Sequence, residues 1–158
     1  MMYLFMALFA AIVVVADQVT KYLVVQNIPL YGHADAISGL FHLTYTQNTG
    51  AAWSMFEGQQ WLFALVFVLF AAVIIWEFSK KRWPLKTAER WAIVAVFAGG
   101  LGNMIDRIRL GYVVDMIALD FMDFPVFNVA DCFITCGCFF LILHLIFFNK
   151  EFWKDDKK

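Results

Sequence analysis

Residues 111–132 read GYVVDMIALDFMDFPVFNVADC and join two strongly apolar segments of the chain. The stretch carries four of the thirteen acidic residues, and two of these, Asp115 and Asp131, stand among apolar neighbours. Two carboxyl groups held close together resist ionising at the same time, so such a pair shares one proton. One member can then act as a general base on water and the other as a general acid. We therefore predict that Asp115 and Asp131 form one catalytic pair.

The composition around this stretch is typical of a membrane protein. The chain of 158 residues is 63% hydrophobic and 16% charged, whereas soluble domains are about half apolar and about a quarter charged. Four apolar segments approach the length of about 20 helical residues that a bilayer requires. These predicted spans are residues 4–25, 59–78, 89–107 and 128–148. The prediction is a single integral membrane domain, residues 1–158, of the all-α class with four transmembrane helices. The net charge of −1 gives no indication of nucleic-acid binding.

The basic residues predict how the helices are oriented. Cytoplasmic loops of membrane proteins are enriched in Lys and Arg. Nine of the twelve basic residues lie in or beside the loop 79–88 or in the tail 149–158, and none lies in residues 26–58. We therefore expect both termini to be cytoplasmic and the connections 26–58 and 108–127 to lie outside.

The outer connections carry strand signals. Apolar and polar residues alternate over residues 41–46 (FHLTYT), which is the period of a β-strand. The segments YVVDMI at 112–117 and FPVF at 124–127 are short and rich in β-forming residues. We predict a small β-sheet that forms a cradle on the outer membrane face.

With this topology, the polar residues of three spans converge near the outer face. Ionisable side chains cost about 2.5–3.5 kcal/mol each at the centre of a spanning helix, so they persist where they are paired or face a cavity. Asp17 and Lys21, four residues apart, share one helical face. We expect every charge inside the membrane to fall at this one depth. The polar residues concerned are Asp17, Gln18, Lys21, Asn103, Asp106, Arg107, Asn128 and Asp131.

Other acids of this region have simpler interpretations. Asp106 is expected to face the surroundings of Arg107 or the lipid headgroups. Asp120 and Asp123 are expected to be solvated charges of the outer loop. Helix packing or snorkelling toward the interface also accounts for single charges such as Lys21.

Glycines and cysteines are expected to serve packing. Gly99 is interpreted as a contact point between helices, whereas Gly102 is expected to make room for a substrate or a neighbouring backbone. Cys132, Cys136 and Cys138 cluster in the last span and are expected to be small buried packing residues. The chain has no HExxH motif and no zinc-like spacing of Cys and His.

Two other classes of protein remain open on the residues alone. Converging intramembrane charges also suit an ion-coupled transporter or proton relay. Transporters usually place such residues near the midplane in paired repeats, and no internal repeat is present. A structural membrane module without catalysis would leave the two aspartates unexplained.

Five motifs, in order, give the chain a resemblance to the bacterial lipoprotein signal peptidases, also called signal peptidase II or prolipoprotein signal peptidase. They are DQVTK at 17–21, NTGAAW at 48–53, GGLGNMIDR at 99–107, VVDM at 113–116 and FNVADC at 127–132. Met116 stands where this family commonly has Phe, and Cys132 stands where Ser is common. Neither change touches the predicted chemistry.

The resemblance implies an aspartic endopeptidase of the bacterial cytoplasmic membrane, with its active site at the outer face. Such an enzyme cleaves prolipoproteins before a cysteine that carries a diacylglyceryl group. It needs no metal or organic cofactor and is inhibited by globomycin-like cyclic peptides. Asp115 and Asp131 correspond to the catalytic pair. The residues expected to bind the substrate are Asn48, Gly50, Asn103, Arg107, Asn128 and Ala130, and those expected to support the site are Asp17, Gln18 and Lys21.

Overall fold

The structure, a computed structural model, describes residues 1–50 and 55–154. The elements in these residues are α1 (Met2–Asn27), β1 (His33–Ile37), β2 (Phe41–Asn48), α2 (Gln60–Lys80), α3 (Thr87–Leu110), β3 (Val113–Leu119) and α4 (Val129–Phe147). The last three residues of the predicted motif NTGAAW, and the end of the predicted cytoplasmic tail, lie outside the described residues.

All four described helices are long and apolar enough to cross a membrane. The prediction of four spanning helices with a small sheet is therefore confirmed. The central helix is α3, which packs against α1, α2 and α4 and is the most buried of the described helices. Because protein rather than lipid surrounds α3, its polar side chains can be satisfied inside the bundle.

The sheet is antiparallel, with the strand order β1–β2–β3. The alternating segment at 41–46 lies in β2 and YVVDMI lies largely in β3, as predicted. FPVF forms no strand, and only Phe127 makes an isolated bridge, to Ile117. The sheet rests on the end of α1, where Val24 and Ile28 pack against Val114. Because Phe127 bridges to Ile117 of β3, the first turn of α4 begins beside the sheet. That this end of the bundle faces outward stays a prediction.

Two glycines of α3 mark close approaches. A Cβ at Gly99 would overlap the carbonyl oxygen of Ala130, so α3 and α4 touch here and the packing interpretation holds. A Cβ at Gly102 would lie 2.6 Å from Oδ2 of Asp17. Gly102 therefore makes room for a carboxylate of α1, and not for a substrate or a backbone as the sequence suggested.

The cysteines are less buried than predicted. All three are free thiols, Cys136 is exposed on the surface of α4, and Cys132 and Cys138 are half-buried. An exposed thiol on a spanning helix faces lipid, a surrounding as apolar as the protein interior, so hydropathy alone does not separate the two.

The opposite end of the bundle holds a second set of buried polar side chains. Glu77 lies 3.6 Å from a guanidinium nitrogen of Arg90. Glu89, which is fully buried, accepts from Nδ1 of His144 at 2.8 Å and from Nδ2 of Asn149 at 2.7 Å. The prediction that intramembrane charges share one depth is therefore wrong. These acids were missed because they stand beside the loop residues that fix the orientation.

Replacing Glu89 with alanine is expected to lower stability without touching the other end of the bundle. The change removes the acceptor of the His144 ring and of the Lys86 backbone N–H, and it takes one of two acceptors from the Asn149 amide, which keeps the carbonyl of Pro84. Each buried group left without a partner costs about 1–3 kcal/mol. Thermal unfolding of the purified protein should show a clear drop in Tm for Glu89→Ala and almost none for the exposed Glu151→Ala. Equal effects of the two variants would contradict this role of Glu89.

Candidate active site

Asp115 lies on β3, where it pairs across the sheet with Thr46 of β2. Its carboxyl group is buried and accepts two amide donors. Nδ2 of Asn48 lies 2.9 Å from Oδ2, and Nδ2 of Asn128 lies 2.6 Å from Oδ1. Burial raises the pKa of Asp115 to about 7 against the opposing effect of the Asn48 donor, and the nearby charge of Asp131 raises it further. This carboxyl can therefore hold a proton near neutral pH.

Asp131 lies in the first turn of α4, where a reciprocal cap with Asn128 fixes it. The Asn128 side chain accepts from the N–H of Asp131 at 3.0 Å, and Oδ2 of Asp131 accepts from the N–H of Asn128 at 3.1 Å. The second oxygen, Oδ1, accepts from Nδ2 of Asn103 at 2.7 Å. An acid at this position of a helix is stabilised in its ionised form by the N-terminal dipole.

Two asparagine amides link the two carboxyl groups. Nδ2 of Asn128 donates both to Asp115 and, at 3.1 Å, to Oδ1 of Asn103. Asn103 in turn donates to Asp131. The structure thus brings Asp115, Asp131, Asn103, Asn128 and Asn48 into one hydrogen-bonded group, built from α3, the start of α4, β2 and β3.

Behind this group lies a buried ion cluster. Nζ of Lys21 lies 2.9 Å from Oδ2 of Asp17, 2.9 Å from Oδ2 of Asp106 and 2.8 Å from Oδ1 of Asn103. The expectation that Asp106 faces Arg107 or the headgroups is wrong, because its carboxylate points at Lys21. A sequence signal for this existed, since Asn103 and Asp106 are three residues apart and share one helical face.

The carboxylates of the cluster also bind backbone and amide groups of neighbouring elements. Asp17 accepts from the N–H of the fully buried Ala130 at 3.0 Å, and Asp106 accepts from the N–H of Val114 at 3.1 Å. The side chain of Gln18 donates to Asp106 at 2.8 Å. The cluster therefore ties α1 and α3 to the start of α4 and to β3, the two elements that carry the aspartates.

Arg107 contacts the loop that follows β2 and a ring of α2. Its guanidinium donates to the carbonyl of Gly50 at 2.9 Å and lies over the ring of Phe63, 4.3 Å from the centroid. The N–H of Gly50 in turn donates to Oδ1 of Asn48 at 2.9 Å, which links this loop to the site. Nε of Arg107 is buried and has no hydrogen-bond partner within residues 1–50 and 55–154.

The rest of the sheet carries one polar pair that the sequence did not predict. Asp120 is not simply solvated, because it lies 2.6 Å from Nδ1 of His42 at the sheet surface, whereas Asp123 is exposed as expected. Tyr112 and Tyr45 share a hydrogen bond of 3.2 Å, which raises the pKa of Tyr112 to about 12.

Among the described residues, no group of three or more His, Cys, Asp or Glu side chains is arranged to hold a metal ion.

Comparison with known proteins gives one consistent result. The family model described as "Signal peptidase (SPase) II" matches residues 9–147. The lipoprotein signal peptidase of Enterococcus faecalis is 43% identical over 147 residues, 90% of this chain and 88% of the relative. The enzyme of that name from Lactiplantibacillus plantarum is 41% identical over 92% of this chain and 95% of its own. A bacterial membrane enzyme solved in meso at 2.3 Å is similar with a TM-score of 0.85 and 32% identity, covering 97% of this chain and 93% of that one.

Proposed function

The chain belongs to the signal peptidase II family, and from this membership we propose that it is an aspartic endopeptidase. It removes the signal peptide of prolipoproteins by cutting before the cysteine that bears a diacylglyceryl group. The observation that carries the proposal is the pair Asp115 and Asp131, two carboxyl groups joined through the amides of Asn103 and Asn128. Membership of a peptidase family argues against the ion-coupled transporter considered from the sequence.

The pair can hydrolyse a peptide bond without a metal. The ionised carboxyl takes a proton from water, and the water oxygen attacks the carbonyl carbon of the residue before the cysteine. The protonated carboxyl gives its proton to the carbonyl oxygen, which forms a neutral tetrahedral diol. The first carboxyl then protonates the amide nitrogen, the C–N bond breaks, and one hydroxyl returns its proton to the second carboxyl. The products are a carboxylic acid and an amine, and the pair again holds one proton.

The surroundings of the pair fit a peptide substrate. The Arg107 guanidinium, whose Nη1 makes only a weak 3.5 Å contact with the carbonyl of Asn103, can turn a donor to a substrate carbonyl or a lipid ester, a charge-assisted hydrogen bond. Asn48 uses one of its two side-chain N–H groups on Asp115 and keeps the other for a backbone carbonyl.

The position of the pair at the ends of the helices also suits a lipidated substrate. Asp131 lies in the first turn of α4 and Asp115 lies on the sheet beyond α3, so the pair stands at the end of the bundle and not at its middle. The two acyl chains of the substrate stay in the bilayer at the same depth. In the predicted topology this end faces outward, where prolipoproteins present their lipidated cysteine.

The test compares two precursors that differ only in the diacylglyceryl group. The purified full-length protein in lipid bicelles is expected to release the signal peptide from the lipidated precursor and not from the unmodified one. Globomycin, a cyclic peptide inhibitor of the family, is expected to block the release. Equal cleavage of both precursors would contradict the proposed substrate class, and the absence of any cleavage would contradict the proposed function.

Arg107→Ala is expected to weaken substrate binding more than it slows the chemistry. Hydrogen bonds to charged groups contribute about 1.5–3 kcal/mol, so KM should rise by about 10- to 100-fold. Arg109→Ala is the matched control, because Arg109 is exposed and its contact with Gln18 is weak, at 3.5 Å. Steady-state kinetics separates KM from kcat, and an unchanged KM in Arg107→Ala would remove this residue from the substrate site.

A further inference from the structure

The amide of Asn103 stands between the buried ion cluster and the catalytic pair. Its Oδ1 lies 2.8 Å from Nζ of Lys21, and its Nδ2 lies 2.7 Å from Oδ1 of Asp131. An ammonium group carries only donors, so the oxygen end of the amide must face Lys21. The N–H end is then turned toward Asp131. Lys21, with the longer bond of 3.1 Å from Nδ2 of Asn128 beside it, thus fixes which end of the amide the carboxyl group meets, and the ammonium is the shorter, charged donor of the two.

Lys21 itself is out of reach of a substrate. Its side chain is 3% exposed, and its three N–H bonds point at Asp17, Asp106 and Asn103. No donor is left for a fourth partner. Any influence of Lys21 on the reaction therefore passes through the groups that it holds.

The two catalytic carboxyl groups have different surroundings. Asp131 receives the Asn103 amide and the N–H of Asn128, and it lies in the first turn of α4, where the helix dipole favours an anion. Asp115 lies on a strand and gains no such dipole. Burial raises the pKa of Asp115 to about 7, so this group can hold the proton of the pair, and the helix dipole at Asp131 is what distinguishes the two.

Building on the proposed aspartic mechanism, we propose that Lys21 is a positioning residue. By holding Oδ1 of Asn103, it directs the amide N–H at Asp131. It thereby keeps Asp131, and not Asp115, as the ionised member that takes the proton from water. Asp115 is then the member that protonates the substrate carbonyl.

Several charged groups surround Asp131, and the experiment must separate their effects. The charges that act electrostatically on Asp131 are those of Arg107 and Asp115 and, from the buried ion cluster, those of Lys21 and Asp17. Asp106 shares Lys21 with Asp17, and the thiol of Cys132 is the next titratable group along α4. The charge of Lys21 also acts on Asp131 directly, so a test of the Asn103 route needs a variant that keeps the charge and removes the amide.

The test measures kcat and KM for the lipidated precursor from about pH 4 to about pH 9, a range that covers both limbs of a bell-shaped profile. The variants of the full-length protein are Lys21→Met, Asn103→Leu and the two combined. Lys21→Met is expected to lower kcat by about 10- to 100-fold, a part of the 10²–10⁴-fold that general acid–base catalysis supplies. KM should stay within about twofold, because Lys21 does not touch the substrate.

The pH profile carries the distinctive result. Without the directed N–H, the ionised form of Asp131 loses a donor, so the acid limb should move up by about one pH unit, a tenfold change in proton affinity. The alkaline limb should stay in place. The combined variant should be slower than Asn103→Leu alone only by the direct effect of the Lys21 charge, and far less slow than the product of the two single effects, because both changes break the same link. Asn48→Ala is the mirror control: it removes a donor from Asp115 and should raise the alkaline limb.

A second variant tests the same role of Lys21 if Lys21→Met alone does not fold. Asp17→Asn combined with Lys21→Met removes one charge of each sign, keeps the net charge of the cluster, and leaves an oxygen for the N–H of Ala130. The same shift of the acid limb is expected. An unmoved acid limb, or multiplying effects of Lys21→Met and Asn103→Leu, would overturn the positioning role. A shift of the alkaline limb alone would make Asp115 the base. Each of these outcomes concerns only the positioning role, because the unaltered enzyme still cleaves the lipidated precursor. If the unaltered enzyme does not cleave it, the proposed function itself is overturned.

Discussion

The Asp131→Asn and Asp115→Asn variants are each expected to lose at least about 1,000-fold in kcat, within the 10²–10⁴-fold contribution of general acid–base catalysis. An amide neither accepts a proton from water nor donates one to a carbonyl at neutral pH. The two substitutions preserve the size of each side chain. The measurement is the rate at which purified variants process a lipidated precursor. The matched control is Asp123→Asn, an exposed position between β3 and α4, which should keep the full rate.

Stability measurements show whether such a loss is chemical. The folded-state pKa of Asp115, about 7, lies above the ordinary value of 3.8. Between these values the folded protein binds more protons than the unfolded chain, so the stability contributed by this group falls as the pH rises, and above about pH 7 it falls no further. Asp115→Asn removes this dependence. Its Tm relative to the unaltered protein should therefore increase from about pH 5 to about pH 8. A relative Tm that falls over this range would contradict the buried, protonated state of Asp115.

The second large effect is expected at Asn128, which caps α4 and bridges the two carboxyl groups. Asn128→Ala loses the cap, which costs about 0.5–2 kcal/mol, and also the donor to Asp115. Asn128→Asp keeps a capping oxygen but brings a third carboxyl within 2.6 Å of Asp115, where Nδ2 now lies. Both variants should therefore lose about 100-fold or more in kcat, comparable to the removal of a catalytic donor.

The two Asn128 variants separate folding from catalysis. At neutral pH Asn128→Asp should have a lower Tm than Asn128→Ala, because a third buried carboxyl beside Asp115 costs more than the cap that the aspartate retains. Thermal unfolding and processing rates measured on the same preparations test this order. Full activity in Asn128→Asp would contradict the bridge, because it would show that the pair does not need an amide donor at this position.

The sequence predicts the architecture well because a few strong local signals decide it. Long apolar segments specify the four helices, alternation specifies β2, and a high content of β-forming residues specifies most of β3. The strand β1 was not predicted: its residues HADAI are all exposed and acquire strand structure by pairing with β2. FPVF has strand-like composition, but Pro125 lacks the N–H that a paired strand needs.

Single residues of the site were predicted less completely than the group they form. The grouping of Asp17, Lys21 and Asn103 follows from depth and from helical spacing. That Asp106 completes the cluster depends on how α1 and α3 are rotated against each other, which local sequence does not specify. The same holds for Glu89 and His144 at the far end of the bundle, which lie 55 residues apart and meet only through the packing of α3 against α4.

The most direct test of the account is the mass of the products that the unaltered enzyme and Asp131→Asn form from one lipidated precursor. The unaltered enzyme is expected to yield two fragments, a signal peptide with a free carboxyl end and a mature chain whose first residue is the diacylglyceryl-cysteine with a free amine. Neither fragment is expected from Asp131→Asn folded to the same Tm. A cut at any other bond, or processing by Asp131→Asn at the unaltered rate, would contradict the proposed function.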